Sequence, residues 1–192
     1  PKSARIPVWE QKLKKYLPHI FGKYSKLEIF NHTDLLAPKH QEDLESVRER
    51  ADVIIIDEAH HFRNQGSRGK RDDPDYRSRY WHLYDLLNDP DRPKQLFMLT
   101  ATPINNSLLD FKHQLDLFTG GNDNHFASTL GVPSLAGRIK TMTKAINERT
   151  GANADLSDHL DEVEYVLTDD PLFENLVVQR SRAYAKQSQF QE

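Results

Sequence analysis

The residues of this chain best suited to chemistry are two adjacent acids, Asp57 and Glu58, which follow an apolar run at 53–56 at the end of a predicted strand over 52–56. That run is rich in β-branched residues, which predicts a strand of a parallel sheet covered on both faces. Ligands of open α/β sheets bind beyond the carboxyl ends of such strands. One carboxylate there can hold a hydrated Mg²⁺ and its neighbour can orient a water. Two acids that merely solvate the exit of the strand are the alternative.

A second apolar stretch, at 96–100, leads into two small hydroxyl residues, Thr100 and Thr102, just before Pro103. Hydroxyl groups at a strand exit can hydrogen-bond to a neighbouring carboxylate or imidazole. Ordinary capping of the next helix by Thr102 is the alternative. The two stretches lie about forty residues apart with one predicted helix between them. This spacing is typical of neighbouring strands in one sheet.

Periodicity predicts the remaining elements. Apolar residues at helical spacing predict helices over 9–17, 44–51, 76–87, 103–118, 135–146, 156–167 and from Pro171 onward. Residues 27–30 predict a short strand, whereas 63–75 are rich in Arg, Gly, Asp and Pro and predict a loop. Strands alternate with helices in the first two thirds, which indicates an α/β sheet, and the last third is a helical appendage.

Composition narrows the class of protein. The chain has 192 residues, enough for about one domain. Its formal net charge of −3 disfavours a small basic DNA-binding module. Cysteine is absent, which excludes disulfide frameworks, thiolate zinc sites and cysteine nucleophiles. No apolar run approaches the ~20 residues of a membrane span, so no membrane partner is expected.

The string Asp57-Glu58-Ala59-His60 resembles the DEAH form of the Walker B motif in helicase-like ATPases. Together with residues 61–64 and 99–106, it resembles the Swi/Snf-type branch of helicase superfamily two. In that branch the DEAH motif, two variable positions and Lys-Asn precede a Thr-Pro-Ile-Gln-Asn segment that opens a helix. Arg63 stands where Lys is usual, and Asn105 stands where Gln is usual. The Leu-Thr-Ala-Thr-Pro form is similar to that of bacterial or archaeal members.

Weaker matches extend the resemblance over nearly the whole chain. The segment at 1–9 resembles motif Ia, 31–35 stand where motif Ib is expected, and 178–182 resemble the basic segment that closes the first motor lobe. The resemblance implies a partial RecA-like lobe at 1–119, with a parallel sheet and flanking helices. It also implies a helical protrusion at 120–170 and a closing helix at 171–192.

The resemblance places two further parts of the same polypeptide outside this chain. The sequence contains no Gly-x-x-x-x-Gly-Lys-Ser/Thr string, so the P-loop strand is expected before Pro1. The second RecA-like lobe is expected after Glu192. Both would be partners of the chain in the intact protein, and without them the isolated chain is expected to be inactive.

The resemblance also implies roles for individual residues. Asp57 would hold Mg²⁺ through water, and Glu58 would orient the hydrolytic water, with ATP and Mg as cofactors of the intact protein. His60 would connect these acids to motif III. The other implied site residues are the motif III residues Thr100, Ala101 and Thr102, the nucleic-acid-binding residues Pro1, Lys2, Ser3, His32 and Thr33, the positioning residues Asn64 and Asn106, and the lobe-closing Arg180 and Arg182.

These implications predict a fragment of a DNA-dependent ATPase or translocase. Its partner would be double-stranded DNA, and its place the prokaryotic cytoplasm, in association with the nucleoid. A catalytically inactive RecA-like interaction or scaffold module is the alternative function.

Two other clusters have weaker claims to chemistry. His60 and His61 with Asp57 are disfavoured as a metal cluster, because adjacent His residues do not share a face and no His-Glu-x-x-His string occurs. The basic residues of the predicted loop, Arg63, Arg68, Lys70 and Arg71, could touch DNA. A solvated loop balanced by Asp72, Asp73 and Asp75 is the favoured interpretation.

Overall fold

A computed structural model of the chain describes residues 9–16, 28–70, 73–101, 104, 107–152 and 154–178. The chain divides into two compact units. The first comprises Pro1–Ile56 and Asn64–Met98, and the second comprises Asp57–Arg63 and Leu99–Glu192. The fold is α/β, as predicted, with a small parallel sheet, flanking helices and a helical remainder. The domain boundaries at 119 and 170 stay a prediction.

The first unit contains the sheet. Its elements are α1 (Gln11–Tyr16), α2 (Gln41–Arg50), β1 (Val53–Ile56), β2 (Arg68–Lys70), β3 (Asp73–Arg77), α3 (Arg79–Leu87) and β4 (Gln95–Met98). Strands β1 and β4 pair in parallel, with Ile55 opposite Phe97. This pairing confirms that the two apolar stretches are neighbouring strands, and it brings their carboxyl ends to the same edge of the sheet.

Helix α3 supplies most of the core of this unit. It packs against α2 and against a 3-10 turn at His32–Leu36. Its buried side chains are Tyr80, Leu83, Leu86 and Leu87, and the other two elements contribute the buried residues Leu35 and Leu44. Burying one side chain of this size contributes about 1.5–3 kcal/mol. The apolar periodicity at 76–87 therefore correctly predicted a helix with one buried face, although the helix begins at Arg79.

The prediction that both faces of the apolar strands are covered is wrong. Ile56 is buried, but the side chain of Ile55 is 59% exposed and that of Phe97 is 53% exposed. Successive side chains of a strand point to opposite faces, and paired residues share a face. Val53, Ile55 and Phe97 therefore form one exposed face of the two-stranded sheet, while the other face packs into the core.

Two predictions about local structure in this unit are also wrong. Residues 28–30 belong to no strand among the residues that the structure describes. Instead, the Glu28 carboxylate accepts a hydrogen bond from Arg50 over 2.7 Å. The predicted loop at 63–75 contains the antiparallel hairpin of β2 and β3. The hairpin was not predicted because its residue types are typical of turns. It is recognised only from the hydrogen bonds between its two strands.

The α-helices in the described residues of the second unit are α4 (Leu108–Thr119), α5 (Leu135–Thr150), α6 (Leu160–Thr168) and α7 (Pro171–Leu176). The helix predicted from Pro103 begins only at Leu108, because the hydroxyl of Ser107 caps it by accepting from the Leu109 amide over 3.0 Å. It ends at Gly120, whose φ of 62° is a left-handed conformation that glycine adopts without strain.

The larger hydrophobic core of the chain lies in this helical unit. No helix in the described part of the chain is long and apolar enough to cross a membrane. The core is formed by residues of all four helices and of the segments between them, namely Leu108, Phe111, Leu115, Phe126, Val132, Leu135, Ile139, Met142, Ile146, Leu156, Val163, Leu167, Leu172 and Phe173.

Candidate functional site

The turn that carries the two acids has a strained backbone. Glu58 has φ 51° and ψ 47°, and it is the one non-glycine residue with positive φ among the described residues. A left-handed conformation costs an ordinary residue roughly 1–2 kcal/mol. Such strain persists only where the surrounding structure imposes it, and it clusters at functional sites. Glu58 opens a 3-10 turn over Ala59–Phe62.

Both peptide groups of the next residue, Ala59, are held by hydrogen bonds. Its amide donates to the carbonyl oxygen of Leu99 over 2.9 Å. Its own carbonyl oxygen accepts from the side-chain amide of Gln114 on α4 over 3.3 Å. Ala59 is fully buried, and Gln114 is only 3% exposed. The segment after Glu58 is therefore fixed, which explains how the strain at Glu58 is maintained.

The far end of the turn is also held by α4. Nδ1 of His113 lies 2.7 Å from the carbonyl oxygen of Arg63. A carbonyl oxygen can only accept a hydrogen bond, so Nδ1 of His113 carries the proton. Between the two ends, Phe62 is buried. Two consecutive residues of one helix thus hold both ends of the segment that follows the acids. We call residues 57–63 the acidic turn.

The acidic side chains themselves are open to solvent. Oδ1 of Asp57 accepts a hydrogen bond from the Glu58 amide over 3.0 Å, which orients the Asp57 carboxylate. Oε2 of Glu58 lies 3.1 Å from Nδ1 of His60, and the Glu58 side chain is 50% exposed. The His60 ring in turn packs against His61, with ring centroids 4.3 Å apart. The structure therefore brings Glu58 and His60 together.

The donor set at this turn suits one kind of metal ion. No cluster of three or more His, Cys, Asp or Glu side chains within the described ranges is arranged to hold a metal. Mg²⁺ does not need such a cluster, because it keeps several waters and uses one or two carboxylates together with substrate phosphates. Asp57 and Glu58 fit that requirement.

The other predicted site residues lie in several places. Thr100 and Ala101 directly follow Leu99, which binds the acidic turn. His32 and Thr33 lie in the 3-10 turn of the first unit, where Asn64 forms a local turn by accepting from the Gly66 amide over 3.0 Å. Their roles stay predictions. The predicted residues outside the described ranges are Pro1, Lys2, Ser3, Thr102, Asn106, Arg180 and Arg182.

Sequence reasoning missed His113 and Gln114. A signal for Gln114 exists in the sequence, since it is a polar residue among apolar ones on the buried face of α4, with Phe111 and Leu115 beside it. For His113 the sequence offers no such signal. Its hydrogen bond joins residues 50 positions apart, and no feature of the neighbouring sequence indicates that contact.

Comparison with known families defines the class of protein. Residues 5–105 match the family described as type III restriction enzyme, res subunit, and this match covers more than half of the chain. The family lies in helicase superfamily two, whose members are helicase-like ATPases that generally use ATP and Mg and bind nucleic acid. The chain belongs to the type III restriction enzyme res subunit family. No curated protein and no solved structure matches it.

Proposed function

We propose that the chain is part of a Swi/Snf-type, DNA-dependent ATPase and supplies the Walker B acids Asp57 and Glu58. The strained turn at Glu58, whose carboxylate lies against His60, carries this proposal. Family membership supports the class of reaction, and the Swi/Snf type rests on the DEAH and Thr-Pro-Ile segments of the sequence. The motif III residues Thr100, Ala101 and Thr102 then couple hydrolysis to nucleic acid.

The geometry suggests a division of labour between the two acids. Bound Mg-ATP supplies the phosphoryl group to be transferred and a positive charge beside it. Asp57, oriented by the Glu58 amide, would hold Mg²⁺ through water. Glu58 orients the attacking water and accepts a proton from it. His60 lies against Oε2 of Glu58 and restricts the directions this carboxylate can take.

The proposed partner is double-stranded DNA in the prokaryotic cytoplasm, at the nucleoid. The net charge of −3 does not oppose this, because phosphate contacts need only hydroxyl groups, N–H groups and a few cations. Pro1, Lys2, Ser3, His32 and Thr33 are the proposed contacts. Asn64 and Asn106 are proposed as positioning residues, and Arg180 and Arg182 as the basic segment that closes the first lobe.

ATP hydrolysis by the natural full-length protein, measured with and without double-stranded DNA, tests this function. We expect Mg-dependent hydrolysis that DNA stimulates more than double-stranded RNA does. Asp57→Asn should lower it at least tenfold, whereas Asp91→Asn, an exposed acid of the first unit, should not change it. A wild-type protein that binds DNA without hydrolysing ATP would instead be the inactive scaffold module.

A further inference from the structure

We infer that His113 and Gln114 of α4 are positioning residues for Glu58, an inference that rests on the proposed function. Gln114 donates to the carbonyl of Ala59, and His113 donates to the carbonyl of Arg63. These two carbonyl groups bracket the 3-10 turn at Ala59–Phe62. Helix α4 thereby sets the backbone that points the Glu58 carboxylate, without touching that carboxylate itself.

The bond from Gln114 acts at the most strained point of the turn. The Ala59 carbonyl belongs to the residue directly after Glu58, whose left-handed backbone is unfavourable for any residue with a Cβ. Both partners of the bond are buried, so water does not replace the amide of Gln114 if it is removed. Loss of this bond leaves the turn free to relax at Glu58, and the carboxylate then loses its direction.

Because both residues lie on α4, a movement of that helix is transmitted to the acidic turn. Helix α4 is anchored by its own core residues, among them Phe111, whose ring centroid lies 5.8 Å from that of Phe173. His113 and Gln114 are consecutive residues of one helix, so a rotation or shift of α4 moves both of them. A change in the orientation of α4 therefore reaches Glu58 through two hydrogen bonds.

Steady-state ATP hydrolysis by the natural full-length protein tests the catalytic part of this inference. Gln114→Leu keeps the volume of the side chain but removes its donor, and His113→Phe keeps a ring but removes Nδ1. We expect each to lower kcat roughly tenfold to a hundredfold while KM for ATP is unchanged. His113→Asn, whose amide nitrogen can take the place of Nδ1, should restore most of kcat. Leu109→Ala, a change at an exposed position of the same helix, is the control and should leave kcat unchanged.

Amide hydrogen exchange in the same full-length variants tests the structural part. In Gln114→Leu we expect faster exchange at the amides of Ala59, His61 and Arg63. Adding Glu58→Gly to that variant should restore slow exchange at Ala59, because glycine adopts positive φ without strain. Restoration would identify strain at Glu58 as the quantity that Gln114 opposes.

The possible outcomes are distinguishable. Unchanged exchange at Ala59 in Gln114→Leu, or an equal loss of kcat in Leu109→Ala, would overturn the inference while leaving the proposed function intact. If the wild-type protein does not hydrolyse ATP, the proposed function fails. The exchange measurement then still decides whether Gln114 and His113 hold the turn.

Discussion

Oε2 of Glu58 and Nδ1 of His60 lie 3.1 Å apart at the end of β1, in the turn that Glu58 itself opens with a left-handed backbone. This contact involves Oε2 of Glu58, and because the side chain remains half exposed, Oε1 is open to the proposed attacking water. His60 is thus placed to orient the residue proposed to activate that water.

Removing the His60 side chain should therefore slow hydrolysis without abolishing ATP binding. We expect His60→Ala to lower kcat of the full-length protein about tenfold, because an oriented carboxylate becomes a mobile one. The matched control is His61→Ala, because the His61 side chain is exposed and packs against the His60 ring. Equal effects of the two substitutions would show that ring packing, not the contact with Glu58, is what matters.

Loss of the motif III hydroxyl groups should reduce coupling to DNA more than it reduces the basal reaction. Thr100 follows Leu99, and the Leu99 carbonyl accepts a hydrogen bond from the Ala59 amide. Thr100 is therefore one residue away from a residue that binds the acidic turn. We expect Thr100→Ala combined with Thr102→Ala to lower DNA-stimulated hydrolysis severalfold more than basal hydrolysis. Thr141→Ala, whose hydroxyl bonds only within α5, serves as the control. A uniform decrease of both activities would instead indicate that the threonines have a general role in the structure and not one in coupling.

Local signals in the sequence predicted most of the fold. Helical spacing of apolar residues placed α2, α3 and α5 to within a few residues, and Pro171 marked the first turn of α7. The β-branched run at 53–56 predicted both the strand and its parallel pairing. The two acids at the strand exit were found from their type and place in the sequence, before any geometry was known.

Features that depend on distant contacts could not be predicted in this way. A β-branched run says that a strand forms, but not how many strands and helices cover it, so the exposure of Ile55 and Phe97 was missed. The hairpin of β2 and β3 has the composition of a loop and exists because its backbone groups pair with one another. The bond between Gln114 and Ala59 joins residues 55 positions apart, and periodicity carries no information about such contacts.

A buried carboxylate should control the stability of the helical unit. The Asp170 side chain is 1% exposed; it lies 2.6 Å from Nε of Arg138 on α5 and caps α7 by accepting from the Leu172 amide over 2.9 Å. We expect Asp170→Ala to lower the free energy of unfolding by roughly 2–4 kcal/mol, through loss of the cap and of a partly buried ion pair. Urea unfolding measures this change.

Its neighbour provides the control for that experiment. Asp169 is exposed, and Asp169→Ala should change the free energy of unfolding by less than about 0.5 kcal/mol. If the two substitutions are equally mild, Asp170 does not link α5 to α7 in solution.

The start of α5 should contribute a component of stability that acid removes. The Ser134 hydroxyl and the Ala136 amide hydrogen-bond to the Asp123 carboxylate and lower its pKa below the usual 3.8. A depressed folded-state pKa stabilises the protein fully above the unfolded value, and this stabilisation is lost as pH falls below 3.8 through the folded value. Asp123→Asn should therefore lower stability near neutral pH and flatten its decline below pH 4.

Urea unfolding at a series of pH values checks this expectation. Asp161→Asn changes an exposed acid of α6 and should leave the pH dependence as it is in the wild type. A parallel decline for the wild type and Asp123→Asn between pH 4 and pH 2 would contradict the assignment.

The most direct test of the account is ATP hydrolysis by Glu58→Gln in the natural full-length protein, with Mg-ATP affinity measured alongside. Gln keeps the size of the side chain but cannot accept a proton from water, and general-base contributions are typically ~10²–10⁴-fold. We predict that hydrolysis falls by about this factor, with or without double-stranded DNA, while Mg-ATP still binds with wild-type affinity. Hydrolysis at a near-normal rate by Glu58→Gln would contradict the account.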